Sequence, residues 1–184
     1  YDNWDIDMYY TEKSWEVNDL LAMEWTEDGP VRTTLKLSWK CNNSVIEQKI
    51  HFYADSRRID FDTHVNWQES HKLLKAAFYT DIRTTKATYD IQFGHAERPT
   101  HWNNSWDLAK FEVCGHKWAD ISESDYGISL LNNGKYGHSI KDGVMRLSLL
   151  RSPKNPDTTA DMGEHHFTYS LFPHGHSVVQ GGTI

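Results

Sequence analysis

Several features common in other protein classes are scarce in this chain of 184 residues. It has only two cysteines, Cys41 and Cys114, and they lie too far apart for a disulfide framework or a zinc-knuckle spacing. We therefore predict two reduced, half-buried thiols. No apolar run has the length that crosses a bilayer, and no signal-peptide pattern is present, but a targeting segment could lie upstream of Tyr1, so neither absence is informative.

Basic residues are in the minority. Lys and Arg total 19 against 26 for Asp and Glu, and the formal net charge of -7 argues against a surface that binds nucleic acid or an anionic membrane, so we predict neither partner. The chain also lacks both the phosphate-binding Gly-x-x-x-x-Gly-Lys-Ser/Thr motif and the nucleophile elbow Gly-x-Ser-x-Gly. These absences argue against nucleotide chemistry and against a Ser-His-Asp hydrolase.

Alternation of apolar and polar residues with a period of two is the dominant pattern that is present. In residues 59–67 one predicted strand face is apolar and the other is polar, because successive side chains of a strand point to opposite faces. The apolar face holds Ile59, Phe61, Val65 and Trp67, and the polar face holds Asp60, Asp62, His64 and Asn66. Similar alternation runs through residues 35–39, 46–52, 87–93, 128–130, 145–149 and 167–171.

Residues that favour tight reversals separate these runs. We predict hairpin turns at residues 27–30, 41–44, 132–134 and 141–143, each rich in Gly, Asn or Asp. Short strands joined by such turns indicate an all-β protein, an antiparallel β-sandwich, with residues 1–184 forming a single domain. We predict a short helix only within residues 14–23, and a long loop at residues 94–117.

The eleven histidines raise the question of a metal site. His165 and His166 are adjacent and would point to opposite faces of a strand, whereas His174 and His176 could share a face. No third ligand is identifiable for either pair. We therefore predict hydrogen-bonded or solvated imidazoles and no metal site in this chain.

Carboxylates and one arginine supply the candidate binding residues. Trp4 stands beside Asp5 and Asp7, and an aromatic face next to hydrogen-bond acceptors suits a sugar ring. Arg151 ends an alternating run where the chain leaves the predicted sheet, a position that suits either a site-edge residue or an ordinary solvated surface residue. Asp60 and Asp62 are explained by the polar face of their strand.

Several segments together resemble one family of glycosidases, the family 38 α-mannosidases, in its C-terminal β-region. A strand-like run, a polar loop punctuated by prolines and a second strand-like run carry the resemblance most clearly, over residues 145–174. Further support comes from residues 58–75, 89–94, 97–107, 111–123 and 126–132. The pattern is closest to the bacterial and cytosolic branch of the family.

The resemblance implies a partial supersandwich like that of galactose mutarotase, cut from a larger retaining exo-α-mannosidase in the cytoplasm. In that family the zinc ligands and the nucleophilic Asp lie in an N-terminal barrel. The resemblance therefore implies that this chain holds no catalytic residue and that zinc is bound by the parent enzyme and not by this chain. The partners would be α-mannosides and the N-terminal catalytic domain in cis. Trp4, Asp5, Asp7 and Arg151 would face the rim of the active site.

The chain begins at Tyr1 without an initiator methionine and stops at Ile184, which favours a piece of a longer protein. A sandwich cut in this way would expose a sheet edge, and an exposed edge favours homo-oligomers. Two other functions stay open. One is a free-standing carbohydrate-binding module that uses Trp102 and Trp106, and the other is an aldose epimerase of the mutarotase type, which needs a His acid and a Glu base.

Overall fold

The computed structural model describes residue 2 and residues 4–175, and it contains thirteen strands with two short helical turns. All strand pairs with a determined register are antiparallel. This confirms the predicted all-β antiparallel class. The strands are β1 Asp19–Asp28, β2 Arg32–Cys41, β3 Ser44–Tyr53, β4 Ile59–Trp67, β5 Leu73–Tyr79, β6 Lys86–Ile91, β7 Gly94–Pro99, β8 Val113–Cys114, β9 Trp118–Ser122, β10 Gly127–Asn132, β11 Gly137–Lys141, β12 Val144–Arg151 and β13 Gly163–His174. A 3₁₀ helix spans Met8–Glu12, and α1 spans Ser105–Leu108.

The chain forms two compact units. The first comprises residue 2, residues 4–74 and residues 150–168, and the second comprises residues 75–149 and 169–175. In the first unit the strand order is β1-β2-β3-β4, followed by the first half of β13. In the second unit the second half of β13 is followed by β10, β9, β6 and β7. The interpretation of residues 1–184 as one domain stays a prediction.

The second unit contains two sheets packed face to face. A four-stranded sheet of order β5-β12-β11-β8 lies against the sheet that contains β6 and β13. The ring of Tyr89 on β6 meets the ring of His138 on β11 at 5.8 Å, and Phe78 on β5 meets Tyr169 on β13 at 6.1 Å. Aromatic rings prefer such edge-to-face contacts at this separation. These contacts between sheets make the second unit a sandwich.

Several predicted elements have the expected bounds. Residues 59–67 form β4, with Val65 and Trp67 fully buried. The predicted turns at residues 27–30, 41–44 and 141–143 join β1 to β2, β2 to β3 and β11 to β12 as hairpins. Asn42 and Asp142 adopt positive φ in two of these turns, which is the conformation that favours Asn, Asp and Gly there.

Residues 14–23 do not contain the predicted helix. β1 begins at Asp19, and the helical turn lies earlier, at Met8–Glu12. The registers of β1 and β2 shift between Leu20 and Ala22, so a β-bulge inserts an extra residue, Leu21. A bulge interrupts the alternation with period two and leaves consecutive apolar residues, which obscures the strand pattern.

Residues 94–117 do not form one long loop, as we had expected. They contain β7, α1 and β8. β7 is a short, polar edge strand that ends at Pro99, and edge strands tolerate proline. The turn at residues 132–134 is not a hairpin, because β10 and β11 belong to different sheets. Alternation in β6 ends at Ile91, and Phe93 lies exposed in the following turn with φ 62°.

Gly127 at the start of β10 provides a test of the packing in the second unit. A Cβ atom there would lie 2.4 Å from both His174 Cε1 and Ser122 Oγ, side chains that Asp120 holds in place. We expect Gly127→Ala to lower the free energy of unfolding by about 1–3 kcal/mol, a typical cost of overpacking. Urea denaturation of the chain measures this change.

Gly94 is the matched control for Gly127, because a Cβ at Gly94 would meet no atom within 4 Å. We expect Gly94→Ala to leave the unfolding free energy nearly unchanged. Equal losses in the two variants would contradict the packing described around Gly127.

Candidate functional site: the N-terminal segment and the 152–162 loop

Arg151 joins the N-terminal segment to the loop between β12 and β13, residues 152–162. It is the last residue of β12, and its backbone N–H donates to Asp161 Oδ2 at 2.8 Å. Its side-chain Nη1 donates to the carbonyl oxygen of Trp4 at 3.3 Å. Two of the predicted site residues, Arg151 and Trp4, are thus brought together from opposite ends of the first unit's sequence.

Asp2 fixes the N-terminal segment to the same loop. Its carboxylate accepts hydrogen bonds from the backbone N–H groups of Lys154 at 2.7 Å and Asn155 at 2.8 Å, and His71 Nε2 lies 2.9 Å from it. The N–H of Lys154 contributes most to holding the pKa of Asp2 below its usual range, and Asn155 and His71 act in the same direction. No sequence pattern singled out Asp2 or His71, because their contacts join distant residues.

Ser152 fastens the base of the loop to the core. Its hydroxyl accepts a hydrogen bond from the indole Nε1 of the buried Trp67 at 2.5 Å. Its backbone carbonyl accepts from His71 N at 2.8 Å, and its backbone N–H donates to Lys72 O at 3.1 Å. The loop therefore leaves the core from a fixed starting point beside Arg151.

Replacement of Ser152 tests this anchor. We expect Ser152→Ala to cost about 1–3 kcal/mol of unfolding free energy, since the buried indole N–H of Trp67 would lose its acceptor. Ser148→Ala is the control, because the Ser148 hydroxyl is buried and has no hydrogen-bond partner among the described residues. Chemical denaturation of both variants makes the comparison, and a loss in Ser148→Ala as large as that in Ser152→Ala would count against it.

The remaining predicted site residues lie in the N-terminal segment. Trp4 is 65% exposed, and Asp5 is exposed beside it. Asp7 caps the 3₁₀ helix, and its side chain accepts from Tyr9 N at 3.4 Å. Asp5 and Asp7 both precede the helix and are not part of a strand. Whether these residues bind a ligand stays a prediction.

A tryptophan outside the predicted set lies close to this region. Trp15 is 65% exposed, and the ammonium groups of Lys72 and Lys13 lie 4.2 Å and 5.1 Å from its ring centroid. A cation over an indole face is a favourable electrostatic contact. The high tryptophan content of the sequence could have suggested an exposed tryptophan, but it could not have shown that two lysines contact the ring of Trp15.

The carboxylates of β4 have structural partners. Asp60 is buried, and Arg58 Nε and Nη2 reach its two oxygens at 2.8 Å and 3.1 Å while Tyr53 Oη donates at 2.8 Å. Asp62 pairs with His166 Nε2 at 2.5 Å on the more exposed face of the sheet. Both pairs agree with the interpretation of these residues as part of a sheet rather than of a catalytic site.

The other histidines considered as metal ligands are hydrogen-bonded. His165 Nε2 lies 2.9 Å from the carbonyl oxygen of Asp161, and His174 Nε2 lies 2.7 Å from Asp120 Oδ2. His176 lies outside the described residues. Within the part of the chain that the structure describes, no group of three or more His, Cys, Asp and Glu side chains could hold a metal ion.

The two tryptophans of the alternative binding-module hypothesis differ in exposure. Trp106 in α1 is 81% exposed. Trp102 carries the Lys141 ammonium 4.0 Å from its ring centroid. A sugar stacks on an open aromatic face. Of these two tryptophans, only Trp106 offers such a face without displacement of a neighbouring side chain.

The two cysteines differ in exposure. Cys41 and Cys114 are free thiols, as predicted, but Cys114 is exposed rather than half-buried. Burial raises the pKa of the Cys41 thiol.

None of the helices among the described residues has the length and apolar character needed to cross a membrane.

Sequence comparison finds one family and several close relatives. The model of the glycosyl hydrolases family 38 C-terminal domain matches residues 1–159. The chain is 48% identical over 193 aligned positions to alpha-mannosidase G of Dictyostelium discoideum, and 44% identical over 187 positions to human alpha-mannosidase 2C1. Each alignment covers 100% of this chain but only 17% and 18% of the relative. The chain thus spans less than a fifth of the length of the curated relatives it matches.

Comparison of structures leads to the same group of proteins. The crystal structure of an alpha-mannosidase from Enterococcus faecalis V583 superposes with a TM-score of 0.76 over 88% of this chain and 23% of that one. Because the two sequences are only 16% identical, this likeness concerns the fold alone. With the family match over most of its length, the chain belongs to the C-terminal domain family of the family 38 glycosyl hydrolases.

Proposed function

We propose that this chain is the non-catalytic C-terminal β-domain of a retaining, zinc-dependent α-mannosidase whose full-length form hydrolyses terminal α-mannosides. The observation that carries the proposal is 44–48% identity, across all or nearly all of the chain, to four relatives named as alpha-mannosidases. The chain would act as scaffold and would supply one wall at the rim of the sugar site. A retaining enzyme needs a carboxylate nucleophile and an acid about 5–5.5 Å apart, and we place both outside these residues.

The side chains of the described residues form no cluster of three or more potential metal ligands. We therefore assign zinc to residues elsewhere in the full-length protein. We expect a chelator to abolish mannosidase activity of the full-length protein. The same chelator should leave the thermal unfolding midpoint of the 184-residue chain unchanged, because a ligand stabilises only the unit that binds it. A lowered midpoint would show a metal bound within these residues and would contradict this assignment.

Arg151 is the residue best placed to act at the rim. Its guanidinium has five N–H donors in a planar fork, and one bond to the Trp4 carbonyl leaves others for sugar hydroxyls. Trp4 adds an exposed indole face, and Asp5 adds an exposed carboxylate beside it. Asp7 would act indirectly, by capping the 3₁₀ helix that follows Trp4 and Asp5.

Activity of rim variants in the full-length protein tests this role. We expect Arg151→Ala and Asp5→Ala each to lower kcat/KM for an aryl α-mannoside about tenfold, a loss of about 1.4 kcal/mol in transition-state binding. Arg57→Ala is the control, because Arg57 is an exposed arginine in the turn between β3 and β4. Unchanged kinetics and unchanged thermal stability in both rim variants would remove these residues from the site.

We also infer the binding partners and the cellular location of the full-length protein. The partners are α-mannosides and the N-terminal catalytic domain of the same polypeptide. We place the protein in the cytoplasm, and the exposed free thiol of Cys114 suits a reducing compartment. Homo-oligomerisation stays a prediction that measurement of the solution mass of the full-length protein can test.

A further inference from the structure

The sheet of the first unit has one apolar face and one charged face. Residues that are paired across an antiparallel sheet point to the same side, so the strand registers assign each residue to a face. The rows on the apolar face are Leu20-Trp39-Ile46-Val65, Met23-Leu37-Gln48-Thr63 and Trp25-Leu35-Ile50-Phe61. The rows on the opposite face include Glu24-Lys36-Lys49-Asp62 and Ser38-Glu47-His64.

Burial of the apolar face falls steadily from β4 towards β1. At the β4 end Val65 is 0% exposed and Thr63 is 1% exposed. At the β1 end Met23 and Trp25 are each 64% exposed and Leu20 is 47% exposed. All ten residues of β1 are exposed. The first unit therefore buries one half of this face and leaves the other half in solvent.

The part of this face nearest β1 is named the β1 face and comprises the exposed Leu20, Met23 and Trp25 of β1 with the half-buried Leu35, Leu37 and Trp39 of β2. Single exposed apolar residues are ordinary on protein surfaces, but a contiguous apolar patch marks a contact with another structure. The charged face of the same strands has no such patch, and Lys36 and Glu47 form an ion pair there at 3.3 Å. Of the two faces of these strands, only the apolar face is therefore expected to be buried against another structure.

The length of the curated relatives indicates which polypeptide covers the β1 face. Each curated relative carries more than four-fifths of its polypeptide outside the region that matches this chain. Polypeptide tethered to the domain has a high effective concentration at its surface and needs less intrinsic affinity than a free partner. A second copy of the chain would have to bind the same face without that advantage.

We propose that the β1 face is the docking surface for the remaining polypeptide of the full-length protein, which packs on Leu20, Met23 and Trp25. This inference rests on the proposed function, in that it takes the chain to be one domain of a longer α-mannosidase. The contact is intramolecular and apolar, and it continues the core that Val65 and Ile46 begin.

Cysteine labelling of neighbouring residues on β1 tests the proposal. Met23→Cys and Glu24→Cys place a thiol on the apolar and the charged face of the same strand. Each variant is made in the full-length protein and in the 184-residue chain, and maleimide labelling is followed by peptide mass mapping so that native cysteines are counted separately. We expect Met23→Cys to label at least about tenfold more slowly in the full-length protein than in the chain, because labelling then requires local opening. Glu24→Cys should label at similar rates in both.

Two results would overturn the proposal. One is equal labelling of Met23→Cys in the two proteins. The other is protection of Met23→Cys in the chain alone that increases with protein concentration, together with a dimer in sedimentation, which would identify a second copy as the occupant. Hydroxyl-radical oxidation of Met23 and Trp25 in the unsubstituted proteins repeats the comparison should a variant fail to fold. Mannosidase activity is measured on the same full-length samples, so that failure of the proposed function and failure of the docking surface are recorded separately.

Discussion

Asp120→Ala is expected to lower the free energy of unfolding of the chain by about 3–5 kcal/mol, the range found when one partner of a buried ion pair is removed, because Asp120 pairs with the buried His174. Asp120 is 2% exposed in β9, at the centre of the second unit. Its carboxylate accepts hydrogen bonds from Ser122 Oγ at 2.5 Å, Ser129 Oγ at 2.7 Å and His174 Nε2 at 2.7 Å. Alanine would withdraw the shared acceptor from three donors on three adjacent strands.

Asp62→Ala is the matched control for Asp120. Asp62 also pairs with a histidine, but its side chain is 33% exposed and that of His166 is 66% exposed. Exposed pairs contribute at most about 1 kcal/mol, so we expect a small loss. Urea denaturation of both variants makes the comparison. Similar losses at Asp120 and Asp62 would show that the buried cluster does not stabilise the second unit.

The second large effect concerns pH. We expect His138 alone to lower the free energy of unfolding of the chain by about 3 kcal/mol between pH 6.5 and pH 4, in addition to the contribution of the carboxylates that titrate near the lower end of this range. His138 is fully buried on β11, and both of its ring nitrogens lack a hydrogen-bond partner among the described residues. Burial, reinforced by the positive charges of Lys75 and Arg98, lowers the pKa of His138 from 6.5 to about 4.

The direction of the pH effect on stability depends on whether the folded or the unfolded chain binds the proton. Between pH 6.5 and pH 4 the unfolded chain protonates this histidine and the folded chain does not, so acid favours unfolding. Well above pH 6.5 the imidazole is neutral in both states and the effect vanishes. The loss therefore develops as the pH falls through 6.5 and levels off below pH 4.

His138→Leu should flatten this part of the pH profile, because it removes the titrating group. His95→Leu is the control, since His95 is exposed on β7. The measurement is urea denaturation of the chain and both variants from pH 4 to pH 8. An unchanged slope in His138→Leu, or an equal flattening in His95→Leu, would contradict the assignment to His138.

The strands that bury one face were predictable from the sequence, whereas those without a buried face were not. β4 alternates cleanly because Val65 and Trp67 pack in the core while His64 and Asn66 face solvent. β1 carries helix-favouring residues such as Leu21 and Met23, a bulge and no buried face. Pairing with β2 overrides that local preference, and pairing is a tertiary effect that a local pattern cannot show.

The candidate site was predictable only in part. Arg151 and Trp4 were identified separately, one from its place at the end of a strand and the other from its acidic neighbours. Their contact depends on how residue 4 and residue 151 meet in the folded unit, which no spacing in the sequence encodes. Asp2 and Ser152 act through backbone groups and through a buried indole, and such partners become visible only in the fold.

The central claim is that the chain is one non-catalytic domain of an α-mannosidase. The most direct test compares release of the chromophore from an aryl α-mannoside by the full-length protein and by the purified 184-residue chain. We predict rapid hydrolysis by the full-length protein and none above background by the chain. Hydrolysis by the chain alone at a rate near that of the full-length protein, with contaminating enzymes excluded, or an inactive but folded full-length protein, would contradict the claim.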